Sequence, residues 1–190
     1  MKQSFGAQPI AYPLPVFLVG TYNKAGKPDV MVASWGGICS SDPPSIAVSI
    51  RPSRQTFRNL KSRKDFTVSI ASEKVIREAD FFGMVSGESV DKFAKTGLTP
   101  VKGEWVNAPY IAECHVVLEC RVIHRFDLGS HVQFVGEIVD TKIDVAVLGE
   151  DNKPDRAKIM PLLFDVLRSE YYVPGLTVGK AFSAGKKFIP

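Results

Sequence analysis

The stretch AECHVVLECRVIHRF, residues 112–126, constrains the fold more than any other part of the chain. Cys114, Val116, Leu118, Cys120, Val122 and Phe126 recur at even positions, with His124 among them. Glu119, Arg121 and Arg125 fall on the odd side, mixed with His115, Val117 and Ile123. Side chains of a strand alternate between faces, so this pattern predicts a long antiparallel strand with one buried face. DLGS (127–130) is a turn, and HVQFVGEIVDTKID (131–144) is the returning strand of a hairpin. His124, on the apolar side, reads as a structural residue.

The segments before this hairpin are also strand-like. PVFLVGTYN (15–23) and DVMVASWGG (29–37) are joined at hairpin distance by a Gly/Pro turn. SIAVSI (45–50) follows DPP, where two prolines forbid helix and favour an extended course, and FTVSIA (66–71) is a further strand. Between these two, Ser53 is placed to cap a short helix starting at Arg54, with Phe57 and Leu60 facing the core. Residues 74–95 predict two short helices broken at Gly83 and Gly87, and 96–109 an irregular connection. About six strands with few long helices suggest a mainly β fold, an antiparallel barrel. The 190 residues suit one domain, 1–190.

Several function classes are disfavoured. No run approaches the roughly 20 apolar residues of a membrane span, and Pro13 and Pro15 interrupt the N-terminal apolar stretch. A cytoplasmic location is the expectation. Cys39, Cys114 and Cys120 are an odd count without a CxxC pair. Cys114 and Cys120, six residues apart on one strand, would lie about 20 Å apart, beyond disulfide reach. There is no HxH or HxxxH spacing, so no metal is expected. GxGxxG after a strand, GxxxxGK[ST] and GxSxG are all missing.

What remains is the stretch SIRPSRQTFRNLKSRK (49–64), with six basic residues and no acidic one. The chain's net charge is only +4, so this excess is local. Hydroxyls of Ser49, Ser53 and Thr56, Arg51 or Arg54, and a helix N-terminus could together hold a phosphate. A capped helix with a solvated basic face is the plainer alternative. Nucleic acid is less suited, since Phe57 is the one aromatic there and sits on the core stripe. Upstream, Ala33, Ser34, Gly36, Gly37, Ser40 and Ser41 are small enough for a flat ligand to approach the backbone, with Trp35 as a wall. Taken alone, the stretch reads more simply as a barrel bend relieved by glycines. His131, just after the Gly-Ser turn, is where a side chain can project into a cleft.

Taken in order, MVASWGGICSSDPPSIAVSIRPSRQTFRNLKSRKDFTVSI, FFGMVSGESVDKF and DLGSHVQFVGEIVD resemble the FMN-binding core of flavin reductase-like proteins. The resemblance implies an FMN-binding split β-barrel and a homodimer with flavin at its interface. It implies that Ala33, Ser34 and Trp35 line the isoalloxazine and ribityl chain. Ser49, Ile50, Arg51, Ser53 and Thr56 would hold the 5′-phosphate. Gly87, Lys92 and Phe93 would close over the flavin, and Tyr171 or Tyr172 would cover it. His131, the catalytic candidate, would sit near the reactive edge, although Ser130 stands where many members carry an acidic residue. The RSEYYVPG segment (168–175) is similar to the flavoredoxin branch, whose FMN relays electrons to a redox partner protein. The alternative is an NAD(P)H-dependent flavin reductase with exchangeable FMN. A nucleic-acid-binding module using the basic helix 51–64, and a split-barrel oxidase of a phosphorylated substrate, stand further back.

Overall fold

The computed structural model describes residues 1–189. Its strands and helices are, in chain order, β1 (Leu14–Pro15), β2 (Phe17–Tyr22), β3 (Pro28–Ala33), β4 (Gly36–Ser41), β5 (Pro44–Ile50), α1 (Gln55–Ser62) and β6 (Asp65–Ile70). There follow α2 (Ile76–Met84), α3 (Lys92–Thr96), β7 (Pro100–Lys102), β8 (Pro109–Ile111), β9 (Val116–Asp127), β10 (Val132–Ile143), α4 (Arg156–Ile159), β11 (Leu163–Asp165) and β12 (Glu170–Tyr172). Seven strands form one antiparallel sheet in the order β3-β2-β6-β9-β10-β5-β4. A small sheet β1-β11-β12 and the pair β7-β8 complete the strands. This is the mainly β split-barrel architecture, with few helices, that the sequence predicts. No helix among the described residues is long and apolar enough to cross a membrane.

The sheet has apolar material on both sides. Inside it, Phe17, Val19, Ile46, Val48, Phe66 and Phe134 pack with Phe57 and Leu60 of α1. On the outer side, Val16, Leu18 and Val30 meet Ala79 and Phe82 of α2 and Phe93 of α3. Adjacent residues such as Leu18 and Val19 are therefore both fully buried, as expected of a strand covered on two faces.

The hairpin β9–β10 is present, but its alternation misleads at two places. Glu119, expected on the open side, is fully buried. The segment carrying β7 and β8 folds over that face, and the Glu119 carboxylate accepts N–H bonds from Glu104 (3.1 Å), Trp105 (2.7 Å) and Val106 (3.1 Å). Lys142 Nζ stands 3.2 Å away as counter-ion. A charged carboxylate is tolerated inside because these donors replace water. Conversely, His124 is exposed, because the far half of β9, from Arg121 onward, extends beyond the cover of the core. Register shifts at Val135/Gly136 and Ile138/Asp140 are bulges that add twist to the hairpin.

Other boundaries differ too. Residues 29–37 are not one strand: the chain leaves β2 after Ala33 and rejoins the sheet beside β5 at Gly36. A Cβ on Gly36 would lie 2.6 Å from the Ala47 carbonyl oxygen, so glycine permits this close crossing. α1 starts one residue later than expected, with Arg54 at its N-cap and no side-chain cap from Ser53. α2 continues through Gly83, and α3 starts after Asp91, whose carboxylate accepts from Ala94 N–H at 3.1 Å. Residues 96–109, expected to be irregular, contain β7 and the start of β8.

Candidate functional site: an aromatic cleft with a basic end

Where the chain crosses from β3 to β4 it opens a cleft of about 380 Å³. Its floor is Met31, Val32, Ala33 and Ser34; Trp35 and His131 form one side, Phe164 and Tyr171 another, and Ser49, Arg51 and Arg54 the polar end. Five separate stretches of chain supply these residues. Ser49 N–H donates to Trp35 O at 2.8 Å, so the crossing segment is fixed to the end of β5. The Trp35 and His131 rings lie parallel, 4° apart in plane and 6.2 Å between centroids. Phe164 and Tyr171 meet at 5.6 Å, an angle of 44° between them.

The electrostatics of the cleft are one-sided. No carboxylate lines it, and neither Arg51 nor Arg54 has an acidic partner within 4.0 Å among the described residues. Arg54 is aimed by a bond from Nη2 to Gly83 O at 3.3 Å. Burial first, and the Arg51 charge second, hold the His131 imidazole below its usual pKa, so it is neutral at pH 7. Ser130 Oγ lies 2.9 Å from His131 Nδ1. A hydroxyl there orients the ring without stabilising an imidazolium, as a carboxylate would. Tyr171 donates to Asp80 Oδ1 at 3.1 Å, and burial with the Asp80 charge pushes its phenol up to about 12.

Of the residues singled out from sequence, Ala33, Ser34, Trp35, Ser49, Arg51, His131 and Tyr171 come together here. The others do not line the cleft. The Ile50 side chain is in the inner core, and Ser53 is exposed in the loop beyond Arg51. Thr56 is in the first turn of α1, its side chain buried and turned toward Asp29. Phe93 is in the outer core. Lys92 is buried, its Nζ donating to Val30 O at 2.6 Å and Phe82 O at 3.3 Å, with Asp29 Oδ1 at 4.0 Å. Gly87 packs on the Asp29 carboxylate so closely that a Cβ would overlap it. Gly87, Lys92 and Asp29 thus form a buried latch rather than a cleft wall. Met31, Val32 and Phe164 are lining residues that sequence reading passed over. Alternation gives no way to tell which residues of a doubly buried strand face a cavity.

The donor set and shape fit FMN. Guanidiniums and a hydroxyl at one end match a phosphate, while the small floor and aromatic sides match a flat ring. The family model for the flavin reductase like domain matches residues 10–168. The structure superposes on flavoredoxin of Desulfovibrio vulgaris (Miyazaki F) with a TM-score of 0.93 and 49% identity, covering 97% of this chain and 100% of that one. It superposes on flavoredoxin from Methanosarcina acetivorans with a TM-score of 0.92 and 31% identity over 100% of both chains. Both superpositions therefore run past Gly175 into the C-terminal residues. An Archaeoglobus fulgidus protein, named only as uncharacterized, is 35% identical over 144 residues, 76% of this chain and 79% of its own. A family match over most of the chain and two full-length structural likenesses lead to one conclusion: the chain belongs to the flavin reductase like domain family.

Proposed function

We propose that this cleft binds FMN and that the chain, as one domain and in a homodimer, relays electrons through it in the manner of a flavoredoxin. The observation that carries the reading is the joining of an acid-free basic end to an aromatic pocket in one cleft. Arg51, Arg54 and the Ser49 hydroxyl hold the phosphate; Ala33 and Ser34 let the ring approach the backbone, and Trp35 walls it. When bound, FMN supplies the redox chemistry, and the protein supplies position, electrostatics and exclusion of water. His131, neutral and held by Ser130, keeps a ring nitrogen at the cleft for hydrogen bonding without adding charge. Tyr171, tied to Asp80, covers the ring. None of these side chains forms an activated nucleophile, so the chain's part is binding and orientation.

The redox partner is a second protein, and the likeness to two flavoredoxins supports this over an exchanging NAD(P)H-dependent reductase. A cytoplasmic setting accords with three unpaired thiols, of which Cys114 is buried and pushed up to about 12. The test is the visible spectrum of the purified protein and the identity of the released cofactor. Near-stoichiometric FMN with slow NADH oxidation is expected, and Arg51→Glu should abolish FMN retention. A colourless protein that does not take up added FMN would overturn the proposal. Brisk NADH turnover with loss of flavin on purification would replace the carrier by the reductase.

A further inference from the structure

The cleft uses only part of the basic run 49–64. Arg51 and Arg54 line its polar end, whereas Lys61, Arg63 and Lys64 do not. Arg54, Arg58 and Lys61 recur at i, i+4 and i+7, so they share one face of α1. Arg58 is neutralised by Glu88 at 2.6 Å. Lys61, Arg63, Lys64 and, on β9, Arg125 have no acidic partner within 4.0 Å among the described residues. All four reach solvent.

The fold gathers these four. Lys61 Nζ stands over the Phe57 ring at 5.9 Å, and Arg125 Cζ over the same ring at 5.3 Å. Lys64 O accepts from Val122 N–H at 2.7 Å, which holds the connection from α1 to β6 against β9 just before Arg125. Carboxylates along these segments are engaged elsewhere. Asp65 pairs with Arg121 at 3.5 Å and accepts from Asn107 N–H at 2.8 Å, and Asp127 accepts from Gly129 N–H at 3.0 Å. A helix C-terminus favours a cation in its last turn, which accounts for Lys61 but not for Lys64 or Arg125 outside the helix. With these four, Arg51 and Arg54 set aside, the chain has 18 basic side chains against 20 acidic ones. The positive excess of the molecule is therefore local to this patch and the cleft end beside it.

The patch adjoins the cleft. Gln133 of β10 pairs with Ser49 on one side and with Phe126 on the other, so a single strand separates the cleft hydroxyl from the neighbour of Arg125. Along α1, the helical rise puts Lys61 about 10 Å from Arg54. Phe57, the one aromatic of the run, is buried under the two cations, so no ring is offered to a nucleic-acid base.

We infer that Lys61, Arg63, Lys64 and Arg125 form the docking face for an acidic electron-transfer protein, which is brought by it to the phosphate end of the cleft. The inference rests on the FMN reading of the cleft and gives its redox partner a surface and a charge. Attraction between complementary patches raises the rate of encounter by about 10–1,000-fold and weakens as salt screens it.

The test uses an acidic [2Fe–2S] ferredoxin as probe, at low and at high salt. Each reduced ferredoxin gives up one electron, so two encounters reduce one bound FMN, which takes one proton from solvent. Stopped-flow bleaching of the flavin reads the rate, and the anisotropy of labelled ferredoxin reads complex formation. Lys61→Glu/Lys64→Glu is expected to lower rate and affinity about tenfold or more at low salt, to flatten the salt dependence and to leave FMN retention unchanged. Lys74→Glu/Lys95→Glu, the same charge change beside Val75 and Phe93 of the outer layer, should stay within about twofold of wild type. A Lys61→Glu/Lys64→Glu variant as fast and as salt-dependent as wild type overturns the inference. So does an equal loss in both variants, which makes the effect one of net charge. Ferredoxin that the unaltered chain does not bind at low salt overturns it as well, as does duplex DNA bound more tightly than ferredoxin at the same salt. If the unaltered chain takes up no FMN, the flavin reading has failed, and the anisotropy alone decides the docking.

Discussion

Replacing Lys92 by methionine removes the ammonium that stands 4.0 Å from Asp29, where the two side chains are 3% and 7% exposed. Burial drives the Lys92 pKa down and the Asp29 pKa up, and each charge partly offsets the shift of the other. The pair is thus held against its desolvation by mutual attraction and by the bonds to Val30 O and Phe82 O. Breaking a buried pair from one side costs about 3–5 kcal/mol, because the remaining charge is stranded. At about 2–4 °C per kcal/mol for a chain of this size, the expected fall in Tm is about 6–20 °C.

The second partner sets the sign of the pH dependence. In Lys92→Met, Asp29 has a folded pKa above its unfolded value, so the folded state binds the extra proton. The deficit is full above the folded pKa and shrinks as pH falls through it. Asp29→Asn added to Lys92→Met removes the stranded charge and should recover most of the loss. Urea unfolding at pH 7 and pH 5 measures all three effects. A Lys92→Met loss below about 1 kcal/mol, or a double variant as unstable as the single, would refute the reasoning. The double variant should also hold FMN within about threefold of wild type, less than 1 kcal/mol. A stable double variant without flavin would return Lys92 to the cofactor site.

Glu119→Gln sets an amide among three backbone donors and removes one of the three carboxylates paired with Lys142; a loss of about 1–3 kcal/mol is expected in urea unfolding. Gly136→Ala thrusts a methyl into the ring of Phe66, which is fully buried, and should cost about 1–3 kcal/mol by the same assay. His131 should titrate below 6.5 by NMR, and Ser130→Asp should raise it by placing an anion beside Nδ1. Because the folded pKa is the lower one, His131 lowers stability as pH falls from its unfolded value of about 6.5 toward the folded value. In Ser130→Asp that loss should diminish.

The strands were legible because their apolar residues keep a period of two and proline and glycine punctuate them. The polar end of the cleft was legible as well: Ser49 and Arg51 stand out from an acid-free segment, and His131 from the turn before β10. Hydroxyl type alone does not reveal direction, however. Ser53 and Thr56 share the segment with Ser49, yet one is exposed beyond the cleft and the other is turned into the protein. Charge misled at Glu119, because a charged residue reads as surface unless its partners are known, and the partners of Lys92, which the resemblance assigned to the flavin, were equally out of view. Those partners come from loop 104–106 and from Asp29, Val30 and Phe82, all distant in sequence. Phe164 gave no signal, since β11 is three residues long and its neighbours β1 and β12 set its facing.

The strand order has a consequence for how the protein is made. β5 waits for β10 to form its second pairing, and β2 reaches β10 only through β6 and β9. On the ribosome the first 70 residues can therefore form the β2–β3 and β4–β5 hairpins and the β2–β6 pairing, but no complete sheet. The far wall of the cleft, Phe164 and Tyr171, follows every strand of the main sheet in the chain. The flavin pocket is thus closed only after the whole sheet has been synthesised, and a growing polypeptide holds bare strand edges until β10 pairs.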